Sequence, residues 1–184
     1  MGFLITLLLT VAVLAILFFS IYNSLVRLKV RIDNAWSQID VQLKRRHDLI
    51  PNLVEVVKGY MQYEKDTLER VIKARGQAID ASGLKDKAQA ENFLTQTLRS
   101  LFAVVERYPE LKANQNVLRL QEELTSTENK IAFARQYYND EVRLYNTKTE
   151  VVPSNIVAGL SGFQKRDFFE IEDVIQKEPP KVKL

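Results

Sequence analysis

The N-terminal stretch limits the fold of this chain more than any other feature. The first 26 residues carry no charged side chain, and Phe3 to Ile21 form a nineteen-residue run interrupted only by two threonines and one serine. As a helix this run would be about 28 Å long, close to the roughly 30 Å thickness of a bilayer's hydrocarbon core. The sequence therefore predicts a transmembrane anchor over residues 1–26.

A cleaved signal peptide is the other interpretation of this stretch. A signal peptide has a basic leading region, a shorter apolar core and a small-residue cleavage site, and this stretch has none of them. The large side chains of Phe18, Phe19 and Tyr22 stand where that site would lie. We therefore expect the segment to be retained as an anchor.

Basic residues flank one side of the apolar run. Arg27, Lys29 and Arg31 follow it, whereas only Met1 and Gly2 precede it. Because short cytoplasmic flanks are enriched in Lys and Arg, this asymmetry predicts an N-terminus outside the cell and a cytoplasmic remainder. We expect a single-pass protein of the cell membrane.

The composition of the remaining chain favours one domain with solvated charged faces. About 158 residues are enough for a single core. The whole chain has 26 Lys plus Arg and 23 Asp plus Glu, interspersed along its length, for a net charge of +3. This pattern argues against a nucleic-acid partner. The absence of cysteine excludes disulfides, thiolate metal sites and cysteine nucleophiles.

Periodicity predicts an all-α fold: a transmembrane helix followed by an antiparallel up-and-down four-helix bundle with long helices. Six glycines and five prolines in 184 residues leave long segments uninterrupted. Apolar residues recur at spacings of three and four in four of these segments, and short connections favour antiparallel neighbours. The four stripes run from Ile32 to Ile50, from Val54 to Arg75, from Leu94 to Tyr108 and from Val117 to Val152.

The ends of these helices are predicted from caps and prolines. Asp48 is expected to cap the second helix, with Pro51 in its first turn, and residues 79–86 form a polar turn. The fourth helix would then be about 64 Å long, against about 40 Å for the first soluble helix. Three explanations stay open: the fourth helix kinks, Pro51 does not break the first pair, or the excess packs on another subunit.

The fourth stripe is a heptad repeat of the kind found in coiled coils. A seven-residue repeat keeps one seam facing a partner helix, either in the same chain or in another subunit. The repeat consists of Val117, Leu124, Ile131, Tyr138, Tyr145 and Val152.

Several charged residues occupy apolar stripes or lie beside them. Buried charges destabilise a fold unless they are paired, so we expect these residues to meet across the bundle. Structural pairing is favoured over a ligand-binding role. The candidate buried polar network is Arg46, Glu64, Arg75, Glu128 and Arg135.

No motif for catalysis, for a cofactor or for a metal is found. The only histidine, His47, is interpreted as a surface residue near a helix end, and the Glu-x-x-His pairs of di-iron bundles are absent. A phosphate-binding Gly-x-x-x-x-Gly-Lys loop is absent as well. The sequence predicts a protein that is not an enzyme.

The C-terminal segment has two interpretations. If the fourth helix returns to the bilayer, residues 154–171 lie near it, where they either cap the open end of the bundle or contact lipid. Residues 172–184 are polar and proline-broken, and are expected to be disordered. The candidates for lipid contact are Phe163, Lys165, Arg166, Phe168 and Phe169.

Several blocks of the sequence match those of a known family. The blocks are residues 22–26, 35–46, 48–54 and 106–113, with the pairs Thr127-Glu128, Ala134-Arg135, Tyr138-Asn139, Tyr145-Asn146 and Gly162-Phe163. They closely resemble the LemA family. The resemblance implies a bacterial inner-membrane protein with an N-terminal anchor and a four-helix domain, here 27–153, and it brings no catalytic residues. A related branch of that family acts in magnetosome membrane formation.

Two functions remain after these exclusions. The first is a non-enzymatic, membrane-anchored protein that oligomerises to organise or scaffold the membrane, with the lipid bilayer and further copies of itself as partners. The alternative is a membrane-tethered binding module that recruits an unidentified protein partner in signalling or quality control.

Overall fold

The computed structural model describes residues 1–61 and 63–169 of the chain. Within these residues the structure is α-helical without strands, which confirms the predicted fold class. The tail predicted to be disordered, 172–184, lies outside the described residues. The helices are α1 (Gly2–Lys58), α2 (Lys65–Asp80), α3 (Leu84–Val105), α4 (Pro109–Lys112), α5 (Gln115–Glu150) and α6 (Ser154–Leu160).

The chain divides into two compact units, and the division falls within α1 and within α5. Unit 1 contains residues 1–43 and 129–168, and unit 2 contains residues 44–128 together with Phe169. Both long helices therefore contribute to both units. The predicted segment boundaries at residues 26, 153 and 171 stay predictions, because this division reflects packing alone.

The N-terminal part of α1 is bare and apolar. Residues 1–17 are exposed, and α1 is long and apolar enough to cross a membrane. Among the described residues, α1 is the only helix that is long and apolar enough to do so. The predicted N-terminal apolar helix is thus present, whereas its passage through a bilayer stays a prediction.

Helix α1 continues through Pro51 to Lys58, so the predicted helix start at Asp48 is wrong and the alternative that Pro51 does not break the first pair is confirmed. Proline removes one backbone donor, the one that would bond the carbonyl of His47 four residues earlier. The Nε of Arg75 donates to that carbonyl at 2.7 Å instead. An interior proline destabilises a helix by about 3 kcal/mol, and this replacement bond together with burial offsets the loss.

Unit 2 consists of the end of α1, helices α2, α3 and α4, and the beginning of α5. Helices α2 and α3 pack against each other and are joined by residues 81–83, inside the predicted polar turn. Gly83 has a φ of 86°, a conformation that other residues rarely adopt. The third stripe ends before Pro109 as predicted, and Pro109 begins α4. The core includes Leu53, Val57, Val71, Leu94, Leu101 and Leu124.

Unit 1 pairs α1 with α5 in antiparallel directions. The rings of Trp36 and Tyr138 lie 5.8 Å apart between centroids, and further along Lys148 Nζ donates to Ser24 Oγ at 2.7 Å. On α1 the buried positions Leu25, Ile32 and Ile39 recur every seven residues. Buried side chains therefore recur every seven residues on both helices.

The heptad seam predicted on α5 is confirmed from Val117 to Tyr145, where each repeat position is buried. It is wrong at Val152, whose side chain is 77% exposed. The reason is that α5 ends at Glu150, so the next repeat position falls after the helix.

The chain reverses after α6 and runs back along α5. Gly162 has a φ of 71°, which permits the sharp turn. Tyr145 then donates its hydroxyl to the carbonyl of Gln164 at 2.9 Å, and Tyr138 donates to that of Asp167 at 3.1 Å. Residues 163–168 are thereby held against α5 by its seam tyrosines.

Candidate functional site

The first candidate site is a buried ionic cluster in unit 2, formed by Arg46, His47, Glu91, Thr95 and Glu128. Arg46 occupies the same seven-residue stripe of α1 as Leu25, Ile32, Ile39 and Leu53, and helical periodicity therefore turns it inward. Its side chain is only 2% exposed, and that of Glu91 is 5% exposed. A charge placed at such a position needs partners within the core.

Arg46 links three helices through its guanidinium group. Its Nη2 donates to the Glu91 carboxylate on α3, and its Nη1 donates to the Glu128 carboxylate on α5. Nη1 also donates to Thr95 Oγ1 at 2.9 Å. The planar group offers donors in a fixed fork, which suits two carboxylates at once. Because Glu128 is 37% exposed, solvent screens its part of the cluster more strongly.

His47 completes the cluster from α1. Its Nε2 lies 2.8 Å from Glu91 Oε1, and an ionised carboxylate can only accept, so the imidazole N–H donates. His47 is buried, and the prediction that it is a surface residue is wrong. The prediction assumed that a helix ended near Asp48, whereas α1 continues and keeps His47 in its interior.

Glu91 is held in its ionised form. Burial raises the pKa of this carboxyl, but the hydrogen bond from His47 and the positive charge of Arg46 lower it by more. The net result is a pKa below the ordinary value of 4.5. At neutral pH the cluster therefore contains a buried carboxylate matched to a buried guanidinium.

The structure brings together only part of the predicted polar network. Arg46 and Glu128 are bonded, and Arg75 joins the edge of the cluster by donating to the His47 carbonyl. Glu64 is half-buried at the N-terminal cap of α2, outside the cluster. Arg135 lies on α5 in unit 1 and is half-buried.

Glu91, His47 and Thr95 are the cluster members that the sequence analysis did not predict. A signal for Glu91 exists, because this residue lies three residues before Leu94 and so extends the third stripe by one step towards the N-terminus. Although both Nη atoms of Arg46 donate hydrogen bonds, its Nε is buried without a hydrogen-bond partner in the described part of the chain. Within the described residues no group of three or more His, Cys, Asp or Glu side chains is arranged to hold a metal ion. The geometry of the cluster suits a structural role, in which hydrogen bonds and ion pairs hold α1, α3 and α5 together.

The second candidate site is an open groove between α1 and α5 in unit 1. It has a volume of about 560 Å³, and its most exposed apolar side chain, Phe133, is 72% exposed. Gln42 contributes a buried Oε1 atom that has no hydrogen-bond partner among the described residues. The groove is lined by Ser37, Gln38, Val41, Gln42, Lys130, Phe133, Ala134 and Tyr137.

The residues predicted to contact lipid have different surroundings. Phe163 is half-buried with its ring 5.6 Å from that of Tyr22, measured between centroids. Phe168 remains partly exposed, and Phe169 is buried. The two basic residues are ion-paired, Lys165 with Glu150 and Arg166 with Asp33 at 3.5 Å.

Comparison with known proteins agrees with the resemblance seen in the sequence. The model of the LemA family matches residues 35–184. The chain belongs to the LemA family. The match spans the ionic cluster, the groove and the segment that follows α6.

Individual LemA-family relatives are distant in sequence. Magnetosome protein MamQ 2 of Paramagnetospirillum magneticum is 24% identical, with 81% of this chain and 64% of the relative covered. Protein LemA of Metamycoplasma hominis is 25% identical, with coverages of 92% and 75%. Magnetosome protein MamQ of Magnetospirillum gryphiswaldense is 22% identical, with coverages of 80% and 64%. This chain thus spans 64% of the length of these magnetosome relatives.

Proposed function

We propose that this LemA-family chain is a non-enzymatic, membrane-anchored helical protein whose copies associate laterally and thereby organise or scaffold the bilayer. The proposal rests on the continuity of α1. This helix passes from a bare apolar segment into the folded units without a break. A soluble surface rarely tolerates so large an apolar patch, whereas a bilayer buries it. A continuous helix also fixes unit 1 to the anchor more firmly than a flexible linker would.

Lateral association is supported by the open groove of unit 1. Among the residues that the structure describes, nothing covers one side of this helix pair, and Val41, Phe133 and Tyr137 are exposed there. A second copy brings a second helix pair, and four helices bury such faces in the manner of a helical bundle. Copies anchored in one membrane share one orientation, so the two-fold axis would run parallel to the membrane normal.

The size of the groove indicates an association that depends on the membrane. Exposed aromatic and aliphatic side chains around it offer roughly 400 Å² per copy, so a pair would bury less than the about 1,200 Å² of a stable interface. Anchoring in one bilayer raises the effective concentration of the copies and offsets a weak contact. Relatives named magnetosome proteins favour, by analogy, a role in organising a membrane.

Crosslinking through one introduced cysteine tests this proposal, because the chain contains no cysteine of its own. A two-fold axis beside α5 brings position 133 of both copies together, and a disulfide needs Cα atoms within about 7 Å. We expect Phe133→Cys to give a disulfide-linked dimer in native membranes. Ala132→Cys is the matched control, since Ala132 is exposed on the same helix but does not line the groove.

Failure of the crosslink has a defined meaning. A monomer by size measurement in mild detergent, combined with no crosslink at position 133, would contradict lateral association. Oligomers that form without a crosslink at position 133 would reject the groove as the contact and leave scaffolding intact.

A binding module remains the second candidate because unit 2 carries a concave aromatic surface. This surface is lined by Tyr60, Tyr63, Tyr108 and Pro109, and Tyr63 is almost fully exposed. Aromatic side chains of this kind are enriched where proteins bind one another. A membrane-tethered module would use them to recruit a protein in signalling or quality control. Co-purification of one stoichiometric partner, lost in Tyr63→Ala, would favour this function.

We further propose that the N-terminus lies outside the cell and that unit 2 is cytoplasmic. The basis is the basic flank of Arg27, Lys29 and Arg31 after the apolar run. Ser82→Cys places one thiol in the connection between α2 and α3. We expect it to resist a membrane-impermeant thiol reagent in intact cells and to react after lysis. Labelling in intact cells would reverse the orientation.

A further inference from the structure

Two stretches of sequence without charged side chains meet at one end of unit 1. They are residues 1–26 and residues 151–164. The ring of Phe163, from the second stretch, lies 5.6 Å from that of Tyr22, from the first, between centroids. The fold thus places an uncharged C-terminal segment beside the base of the bare N-terminal run.

Helix α6 is hydrogen-bonded to the end of α5, and the end of α5 is in turn hydrogen-bonded to α1. Lys148, near the end of α5, donates to Ser24 on α1 at 2.7 Å. Ser154, the first residue of α6, donates its hydroxyl to the Lys148 carbonyl at 2.6 Å. These bonds hold α6 within about two turns of the last residues of the apolar run.

Helix α6 is apolar on both of its faces. Val157 and Ala158 are buried against unit 1. Ile156 and Leu160, one turn apart on the opposite face, are 59% and 76% exposed. Val152, just before the helix, adds a third bare side chain. An amphipathic surface helix would carry polar residues on that outer face, and α6 does not.

Charges at the borders of this segment neutralise each other. Glu150 ends α5 and Lys165 follows the turn at Gly162, and the two side chains form an ion pair. No charged side chain lies between them in the sequence. The segment can therefore leave water without burying an unpaired charge, which would otherwise oppose insertion.

We propose that α6 lies in the interfacial layer of the bilayer that holds the anchor, with Val152, Ile156 and Leu160 inserted among the lipid headgroups and upper acyl chains. This inference rests on the proposed membrane anchoring. The lipid surface is the occupant that the structure favours, because the contact of Phe163 with Tyr22 places the chain just after α6 beside the base of the bare run on α1. Helices of this kind lie about 5 to 10 Å into the boundary between headgroups and acyl chains.

This second contact would set the orientation of unit 1 relative to the bilayer. One transmembrane helix leaves tilt and rotation open, whereas a helix and a neighbouring interfacial segment define a plane. The residues that enter lipid are then Val152, Ile156 and Leu160, since Lys165 and Arg166 are engaged in ion pairs.

Spin labels on single cysteines of the full chain in liposomes test the inference. Ile156→Cys and Leu160→Cys each carry the only thiol of the protein, on side chains that are exposed and therefore tolerant of a label. Ala132→Cys is the water-facing control, and Leu9→Cys marks the anchor. Oxygen concentrates in lipid and a nickel chelate stays in water, so their collision rates report the surroundings of each label.

We expect the ratio of oxygen to nickel collisions at positions 156 and 160 to exceed the ratio at position 132 by several-fold. Equal ratios at the three positions would overturn the inference, and so would shielding from both reagents, which would indicate a protein covering α6. A water-like ratio at position 9 would instead reject the anchor and with it the proposed function.

Discussion

The heptad stripes of the two units of this LemA-family protein carry different kinds of polar group. Unit 2 places a charged residue, Arg46, on its inner stripe and surrounds it with carboxylates. Unit 1 places neutral groups on its inner stripe, Tyr138 and Tyr145, which bond backbone carbonyls. Both stripes follow a seven-residue repeat. Two helix faces with the same repeat therefore differ in their sensitivity to substitution and to pH.

The ionic cluster should give the largest effect. Arg46→Ala leaves the Glu91 carboxylate buried without its charged partner, and the free energy of unfolding should fall by about 3 to 5 kcal/mol. The matched control is Arg45→Ala, which removes a 51% exposed side chain 3.6 Å from Glu123 and should change stability by less than about 1 kcal/mol. Thermal and urea unfolding of the full chain in mild detergent measures both. Similar losses in the two variants would contradict the ionic role.

The bond between Arg75 and the His47 carbonyl should give the next largest effect. Arg75→Ala leaves this carbonyl without a donor, because Pro51 has no N–H, and should destabilise the protein by about 1 to 3 kcal/mol. Pro51→Ala restores the helical donor. In that background the loss caused by Arg75→Ala should shrink to below about 1 kcal/mol. A double-mutant cycle without this coupling would contradict our account of α1.

Removing hydrogen bonds between neutral groups in unit 1 should lower the free energy of unfolding by a smaller amount. Asn146 Nδ2 donates to the Arg166 carbonyl, and its Oδ1 accepts from the Arg166 N–H, each at 2.9 Å. Asn146→Ala should destabilise the protein by about 1 to 2 kcal/mol and expose residues 163–168 to proteases. Exposed Asn23→Ala serves as the control. An unchanged proteolysis pattern would show that Asn146 does not hold this segment.

The smallest predicted effect is a difference between the two units in how stability depends on acid pH. Glu91 has a pKa in the folded protein below its unfolded value of about 4.5, so its contribution to stability is fully present above that pH. The contribution declines as the pH falls from there through the lowered pKa. Glu91→Gln should flatten this decline, whereas Asn146→Ala should leave it unchanged. If the free energy of unfolding falls with pH equally steeply in wild type and in Glu91→Gln, Glu91 is not the source of the decline.

Most of the helices and of their buried faces could be predicted from the sequence, although the boundary between the first two could not. Helical periodicity turns one stripe inward wherever it continues, and so the seam from Val117 to Tyr145 and the position of Arg46 could be predicted. The bare N-terminal run also follows from composition alone. The pairing of Arg46 with Glu128 followed because a buried charge requires a partner.

Tertiary structure decided the features that depend on residues distant in the chain. A helix continues through Pro51 because Arg75, 28 residues later, donates to the carbonyl that proline leaves free. The carboxylate that matches Arg46 in the core is Glu91 because α3 packs there, and this same contact buries His47. Local sequence rules describe which groups a segment leaves unsatisfied. Only packing supplies the group that satisfies them, because hydrogen bonds and ion pairs form with whatever the fold brings within reach.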